Sequence, residues 1–170
     1  MIVYESERLL LRTLTETDLD LLAAIFADPD VTRYIGGPRT REEVRARLEQ
    51  LIAAYERDGF SKWAVVLRAT GETIGRCGPM REAIEGRDEV EIGYDLAKEH
   101  WGRGIATEAA GAALTYCFDV LRLPRVISLI APGNAASLGV ARRLGMRHER
   151  DVTWRGTRFG LHSVERDASR

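Results

Sequence analysis

The sequence predicts a mixed α/β fold of the α+β kind, and three observations carry that prediction. Two strand-like runs, Trp63–Leu67 and Thr73–Cys77, are joined by the turn residues Ala69-Thr70-Gly71-Glu72, so they should pair antiparallel. Further on, an alternating segment at 89–96, a helical stretch from about Ile105 to Leu121 and an apolar run Val126–Ile130 read as a strand–helix–strand unit whose strands should lie parallel. A chain of 170 residues, 45% hydrophobic and 30% charged, is the size of one globular domain with its own core, which we take as 1–170.

Taken in order, residues 7–13 (Glu-Arg-Leu-Leu-Leu-Arg-Thr) form a short apolar strand candidate. Thr15 with Asp18 three residues later is a capping box, opening a helix that buries Leu19, Leu22, Ala23 and Phe26 and stops near Asp28-Pro29. After the Gly36-Gly37-Pro38 break, Thr40 and Glu43 repeat the box and start a longer helix, with Val44, Leu48, Leu51, Ile52 and Tyr55 at helical spacing as far as Asp58-Gly59. The antiparallel pair follows, then a polar loop around Gly86-Arg87-Asp88. In the 89–96 run, Val90, Ile92, Tyr94 and Leu96 share one face, while Glu89, Glu91, Gly93 and Asp95 share the other. Beyond the strand–helix–strand unit, Pro132-Gly133-Asn134 leads into a helix carrying Leu138, Ala141 and Leu144 that ends at Gly145. Strand-like segments at about 146–154 and 158–165 close the chain, which shows no internal repeat or low-complexity tract.

Composition narrows the function classes. A formal net charge of −1 lacks the basic excess of a protein held to phosphate backbones, so no nucleic-acid partner is expected. No apolar run reaches the roughly 18–20 residues of a bilayer span and the start lacks a signal-peptide pattern, so neither a membrane association nor export is expected, and we place the chain in the cytoplasm. Cys77 and Cys117 show neither a CxxC nor a Cys/His ligand spacing, which suits buried thiols and predicts neither a disulfide nor a metal.

The segment with most chemical content is Trp101-Gly102-Arg103-Gly104-Ile105-Ala106-Thr107. Gly102 and Gly104 stand between a strand and the first turn of a helix, where unpaired N–H groups and the positive end of the helix dipole converge. An anion is the natural guest there, most simply a phosphate. A dinucleotide fingerprint fails because the run reads Gly-x-Gly-x-x-Thr, and a nucleotide P-loop fails because no Gly-x-x-x-x-Gly-Lys-Ser/Thr occurs. A loop that only turns the chain remains the alternative.

Trp101-Gly-Arg-Gly-Ile-Ala-Thr-Glu-Ala109 resembles the pyrophosphate loop of the GNAT N-acetyltransferase superfamily, in the form of its RimJ/RimL-like branch. Other segments resemble that branch in the same order. They are Glu7-Arg-Leu-Leu-Leu-Arg12 with Asp18, Asp30-Val-Thr-Arg-Tyr-Ile-Gly36, Glu91-Ile-Gly-Tyr94, and Asn134-Ala-Ala-Ser137 with Arg143-Leu-Gly145. The resemblance implies a splayed mixed sheet of six or seven strands flanked by about four helices, with acetyl-CoA as cosubstrate between the central strand and the next parallel one. It assigns the pyrophosphate to the amides of Arg103–Thr107, with charge from Arg103. Asn134 is assigned to the pantetheine arm or the acetyl end, beside the plain alternative of a helix cap. A backbone N–H near Tyr94, Asp95 and Leu96 would polarise the thioester carbonyl.

Amide formation from a thioester needs a neutral amine, a stabilised oxyanion and a proton for the departing thiolate. The tyrosine that many family members place seven residues after the Asn is Ala141 here. Ser137 is then the candidate acid, unless it is only a helix-surface hydroxyl. Glu91 is the leading base candidate, unless it is only an ion-paired carboxylate, with Glu89 behind it. His100 reads as a solvated loop residue, Trp101 as a packing residue, and Lys98 stands where a proline is frequent.

The reading is therefore an acetyl-CoA-dependent N-acetyltransferase working by direct attack in a ternary complex, without an acyl-enzyme. An α-amine of pKa about 7.7–8.0 costs only about 1 kcal/mol to deprotonate at neutral pH, against roughly 4.6 for lysine. The acceptor of choice is accordingly a protein or peptide N-terminus. A small-molecule amine (polyamine, aminoglycoside or amino-acid analogue) is the alternative, as is a CoA-binding module without turnover. The two N-terminal helices and the loops at 31–39 and 82–88 should shape the acceptor cleft, and the branch resemblance implies a homodimer.

Overall fold

The computed structural model describes residues 1–167, so the last three residues of the expected domain lie outside them. Its frame is one mixed sheet of eight strands: β1 (Ile2–Glu5), β2 (Leu9–Thr13), β3 (Trp63–Leu67), β4 (Thr73–Ile84), β5 (Arg87–Leu96), β6 (Arg125–Ile130), β7 (Arg147–Trp154) and β8 (Thr157–Glu165). Their spatial order is β1-β2-β3-β4-β5-β6-β8-β7. Five helices accompany it: α1 (Leu19–Ala27), α2 (Pro29–Thr32), α3 (Arg41–Asp58), α4 (Ile105–Asp119) and α5 (Ala135–Arg143). The mixed α+β class holds, with one strand and one helix beyond the expected numbers. The added strand is β1, a short edge strand paired antiparallel with β2. The added helix is α2, a single turn whose N-cap Asp28 accepts from Asp30 N and whose first residue is Pro29.

Both capping boxes form. The Asp18 side chain accepts from Thr15 N at 2.8 Å, and Glu43 accepts from Thr40 N at 2.8 Å while Glu43 N donates back to Thr40. Gly59 ends α3 in the left-handed conformation that a Cβ would oppose. β3 is apolar throughout because both faces of the sheet are covered. Trp63 and Val65 join Leu9, Leu11, Ile92 and Leu96 under α4, and Ala64 and Val66 join Met80 beneath α1 and α3. A third cluster, with Ile84, Ile127, Val152 and Leu161, lies under the β7–β8 hairpin.

Two details position the site. First, β4 does not stop at Cys77 but continues to Ile84, pairing with β5 from Gly75↔Leu96 to Ile84↔Arg87 around the two-residue turn Glu85-Gly86. The expected polar loop at 82–88 is thus a hairpin tip. Gly78 and Pro79 argue locally against a strand, but ladder pairing along β5 overrides them. Second, β5 and β6 are parallel, as expected, yet meet in register only at Glu91↔Ile127. Ser128 Oγ donates to Ile92 O at 2.6 Å just past that point, and beyond it the strands part.

Candidate active site

The parted strands open a cleft of about 1540 Å³ that runs from the glycine turn, between β5 and β6, to the face of β4 and β5 beneath α3. At the turn, Gly102 and Gly104 have φ of +73° and +74°, where any side chain would strain the backbone. Gly104 is the N-cap of α4, and the first helical bond runs from Glu108 N to Gly104 O. The amides of Gly102 to Thr107 therefore have no backbone acceptor among the described residues. Gly102, Gly104, Ile105, Ala106 and Thr107 all line the cleft.

The turn is held from the β1–β2 connection, a contact the sequence reading did not foresee. Arg8 donates through Nη1 to Arg103 O at 2.9 Å and through Nε to Glu108 at 2.6 Å, and Glu108 also accepts from Ser6 Oγ and Arg8 N. Burial pushes the Glu108 carboxyl up, but these donors outweigh it and hold the group below its ordinary value. With its charge thus paired, Glu108 does not cancel the positive end of α4.

Two expectations at the turn, for Trp101 and His100, need correction. Trp101 does not pack away: it is 46% exposed, and its indole N–H donates to Leu96 O at 2.9 Å, tying the turn to the end of β5. Arg103 is exposed and contributes its carbonyl to Arg8, while its side chain is not among the residues lining the cleft. His100 is not solvated but 8% exposed, because the 3₁₀ turn Lys98–His100 folds it inward, where its Nδ1 has no partner.

Glu91 and Asp95 reach the acceptor half of the cleft from the polar face of β5, as the alternation requires. The sequence reading missed the cations around them. Lys62, on the connection before β3, lies 3.8 Å from Glu91, and Arg76, the cross-strand partner of Asp95, donates to it at 2.9 Å. Gly93 makes room for this, since a Cβ there would collide with the Lys62 ammonium. Glu91 is 14% exposed. Its burial pushes the pKa up, with Lys62 opposing and Glu82 and Asp95 adding. For Asp95 burial is outweighed by Arg76 and Lys62, so its pKa is lowered. Two carboxylates on one strand face are thus driven apart, Asp95, hydrogen-bonded to Arg76, staying charged and Glu91, with Lys62 only at 3.8 Å, becoming the more basic.

On the opposite wall Asn134 is the N-cap of α5, its Oδ1 accepting from Ser137 N at 3.1 Å. The capping alternative is therefore real, but it uses only the acceptor half of the amide. The Asn134 Nδ2 and the Ser137 hydroxyl make no hydrogen bond among the described residues, and both residues line the cleft. Tyr94, read in the sequence as an apolar-face residue with a backbone role, donates from its hydroxyl to Ser137 O at 3.4 Å. Burial pushes that phenol up to about 12, which keeps it a proton donor at neutral pH. Of the segments expected to shape the acceptor half, 31–39 does line it, with Tyr34 donating to Gly133 O at 3.0 Å, whereas of 82–88 only Glu82 does. Glu85 at the hairpin tip is engaged by Arg150 and Thr153 N instead.

Both cysteines are buried, and desolvation pushes their thiols up, Cys117 to about 12, so neither offers a ready thiolate. Among the described residues no group of three His, Cys, Asp or Glu side chains could hold a metal ion, and no helix is long and apolar enough to cross a membrane.

Comparison with known proteins agrees with this geometry. The profile of the acetyltransferase (GNAT) domain family matches residues 8–147. The p20 protein of Bacillus licheniformis, named an uncharacterised N-acetyltransferase, is 34% identical over 147 residues, covering 85% of this chain and 82% of p20. The crystal structure of an acetyltransferase from Agrobacterium tumefaciens superposes with a TM-score of 0.85 at 28% identity, over 96% of this chain and 94% of that one. RimL, a ribosomal α-N-protein acetyltransferase solved in complex with coenzyme A, shares the fold at a TM-score of 0.76 and 22% identity, over 99% of each chain.

Proposed function

This chain belongs to the GNAT acetyltransferase family and is an N-acetyltransferase, and from that premise we propose that it carries the acetyl group of acetyl-CoA to an α-amine, within the RimJ/RimL-like branch. The observation that supports this best is the continuity of the cleft: one opening joins a turn of unpaired amides to a buried carboxylate with a raised pKa. The residues fit the cofactor. Amides without acceptors, two positions where a side chain is disfavoured and a helix N-terminus suit a diphosphate, and the free amide nitrogen of Asn134 suits the polar arm that follows it.

When bound, acetyl-CoA supplies an electrophilic thioester carbonyl. Beside it, backbone N–H groups at Tyr94–Leu96 on the open edge of β5 orient and polarise that carbonyl. Glu91, made more basic by burial, takes the proton of the incoming amine directly or through one water. The Ser137 hydroxyl, at the first turn of α5, would relay a proton from water toward the leaving sulfur, giving up its own proton as it takes one from the water. Neither thiol takes part, so transfer is direct.

Among acceptors, an α-amine asks least of this base. The acceptor half is not acidic, since Lys62, Arg47 and Arg76 stand among its carboxylates. That disfavours polyamines and aminoglycosides. Thiol release from acetyl-CoA, followed with a panel of peptides, amino acids and polyamines, tests the reading. Turnover on α-amines with little on spermidine is expected, and tight acetyl-CoA binding without turnover on any amine would refute it.

A further inference from the structure

The cations of the acceptor half are unevenly paired. Arg47, Lys62, Arg76 and Arg155 stand around Glu82, Glu91 and Asp95, while Glu43, which also lines the cleft, is engaged by Thr40 N in the cap of α3. Only Asp95 is held within hydrogen-bond distance, by Arg76 at 2.9 Å; Lys62 stands 3.8 Å from Glu91, and Glu82 is shared between two guanidinium groups. It serves neither well. Arg47 Nη2 stands 3.8 Å from one oxygen of Glu82 and Arg155 Nη2 stands 3.6 Å from the other, both beyond hydrogen-bond reach.

Arg47 is the clearer anomaly. It projects from α3 one turn beyond Glu43, with its side chain only 24% exposed, and it donates to two neutral acceptors, Gln50 Oε1 and Met80 Sδ, each at 3.1 Å. A half-dry guanidinium ordinarily finds a carboxylate that matches its fork. Here desolvation, then the like charges of Arg76 and Arg155, pull its pKa down. Arg155 comes from a different direction. It sits at the β7–β8 turn with φ of +50° and stacks on Trp154 at 4.3 Å, so that the hairpin tip holds a second guanidinium toward Glu82.

We propose that the acceptor carries a carboxylate beside its reacting amine, and that Arg47 and Arg155 receive it while the amine meets Glu91. This rests on the N-acetyltransferase reading above and sharpens it to amines with an acidic group. The carboxylate supplies the acceptor within hydrogen-bond reach that Glu82 does not give either guanidinium, and its two oxygens suit paired N–H donors. The carboxylate has two sources: the acceptor's own α-carboxylate in a free amino acid, or the side chain of an acidic residue next to a peptide N-terminus.

Matched acceptors decide the matter. A free amino acid is compared with its carboxamide, and a short peptide with Asp in second position is compared with its Asn counterpart, using kcat/KM from thiol release. Charge-assisted hydrogen bonds of about 1.5–3 kcal/mol correspond to an acid-over-amide preference of about 10- to 150-fold. That preference should appear in the first pair if the carboxylate is the amino acid's own, and in the second if it is a side chain. In Arg47→Gln, and in Arg155→Asn, which suits the positive φ, the ratio should fall toward one through KM. Acetyl-CoA affinity by calorimetry and the circular dichroism spectrum report whether each variant is folded. Ratios near one in both pairs, or an undiminished ratio in both folded variants, would overturn the proposal while acetyl transfer itself stands. Absence of turnover on every amine would overturn both readings.

Discussion

Asn134 has one amide with two ends; the structure uses one as a helix cap, the proposed function gives the other to the cofactor, and substitution can divide them. Its Oδ1 caps α5 by accepting from Ser137 N, while its Nδ2 is left to face the cleft. Asn134→Asp keeps an equally good cap and places a negative charge at a helix N-terminus, which is neutral to about 1 kcal/mol stabilising. Asn134→Ala loses the cap, at about 1 kcal/mol, or about 2–4 °C in Tm for a chain of this length. Cofactor binding should rank differently. Aspartate removes the N–H donor and leaves the partner facing a carboxylate, a cost of about 1–3 kcal/mol, or about 5- to 150-fold in acetyl-CoA affinity. Thermal unfolding and calorimetric titration on the same samples provide the comparison. A protein at least as stable as the parent that binds acetyl-CoA much more weakly is the expected result. If Asn134→Asp bound acetyl-CoA within about two-fold of the parent, capping would be the residue's whole role and its assignment to the cofactor wrong.

Gly104→Asp should abolish measurable acetyl-CoA binding in calorimetry, because it adds a Cβ at φ +74° and a negative charge among the turn amides; unchanged affinity would move the cofactor site elsewhere. The acid limb of the kcat/KM profile should lie above the ordinary carboxylate value of 4.5, because burial raises Glu91 and activity is lost as pH falls through the raised value. Glu91→Gln should remove that limb along with most of the turnover, and a variant retaining the limb would exclude Glu91 as the base. Asp18 is 4% exposed, accepts a two-pronged bond from Arg12 at 2.6 and 2.9 Å and a further bond from Thr15 N at 2.8 Å, so Asp18→Asn should cost about 3 kcal/mol, or about 6–12 °C in Tm. Burial works against the Asp18 carboxylate, but Arg12 and Thr15 hold its pKa below 3.8. Its stabilisation is therefore present above that pH and lost as pH falls, and the acid-side loss in thermal scans should be shallower in Asp18→Asn than in the parent.

What could be read along the chain was whatever depends on residues a few positions apart. Thr15 with Asp18 and Thr40 with Glu43 meet within one helical turn, so a four-residue pattern suffices to foresee them. The period-two face of 89–96 placed Glu91 and Asp95 together because successive strand residues alternate whatever the neighbouring strand may be. The turn at 101–107 was legible for the same reason, two glycines ahead of a helix being a local statement about φ and unpaired amides.

Pairing between distant segments decided the rest. Gly78 and Pro79 predict a break, yet β4 runs through them because β5 offers a partner along its whole length. The surroundings of Glu91 follow from the same pairing: Arg76 lies opposite Asp95 by register, Lys62 arrives from the approach to β3, and Arg47 reaches over from α3. His100 looks like a polar loop residue until the turn folds it inward. The sequence by itself determined four of the five helices, the two capping boxes, the glycine turn and the acidic strand face, all products of short-range stereochemistry. Only the tertiary structure decided which charges surround the acidic face and how basic Glu91 becomes, because desolvation and Coulomb interaction depend on distance through space rather than along the chain.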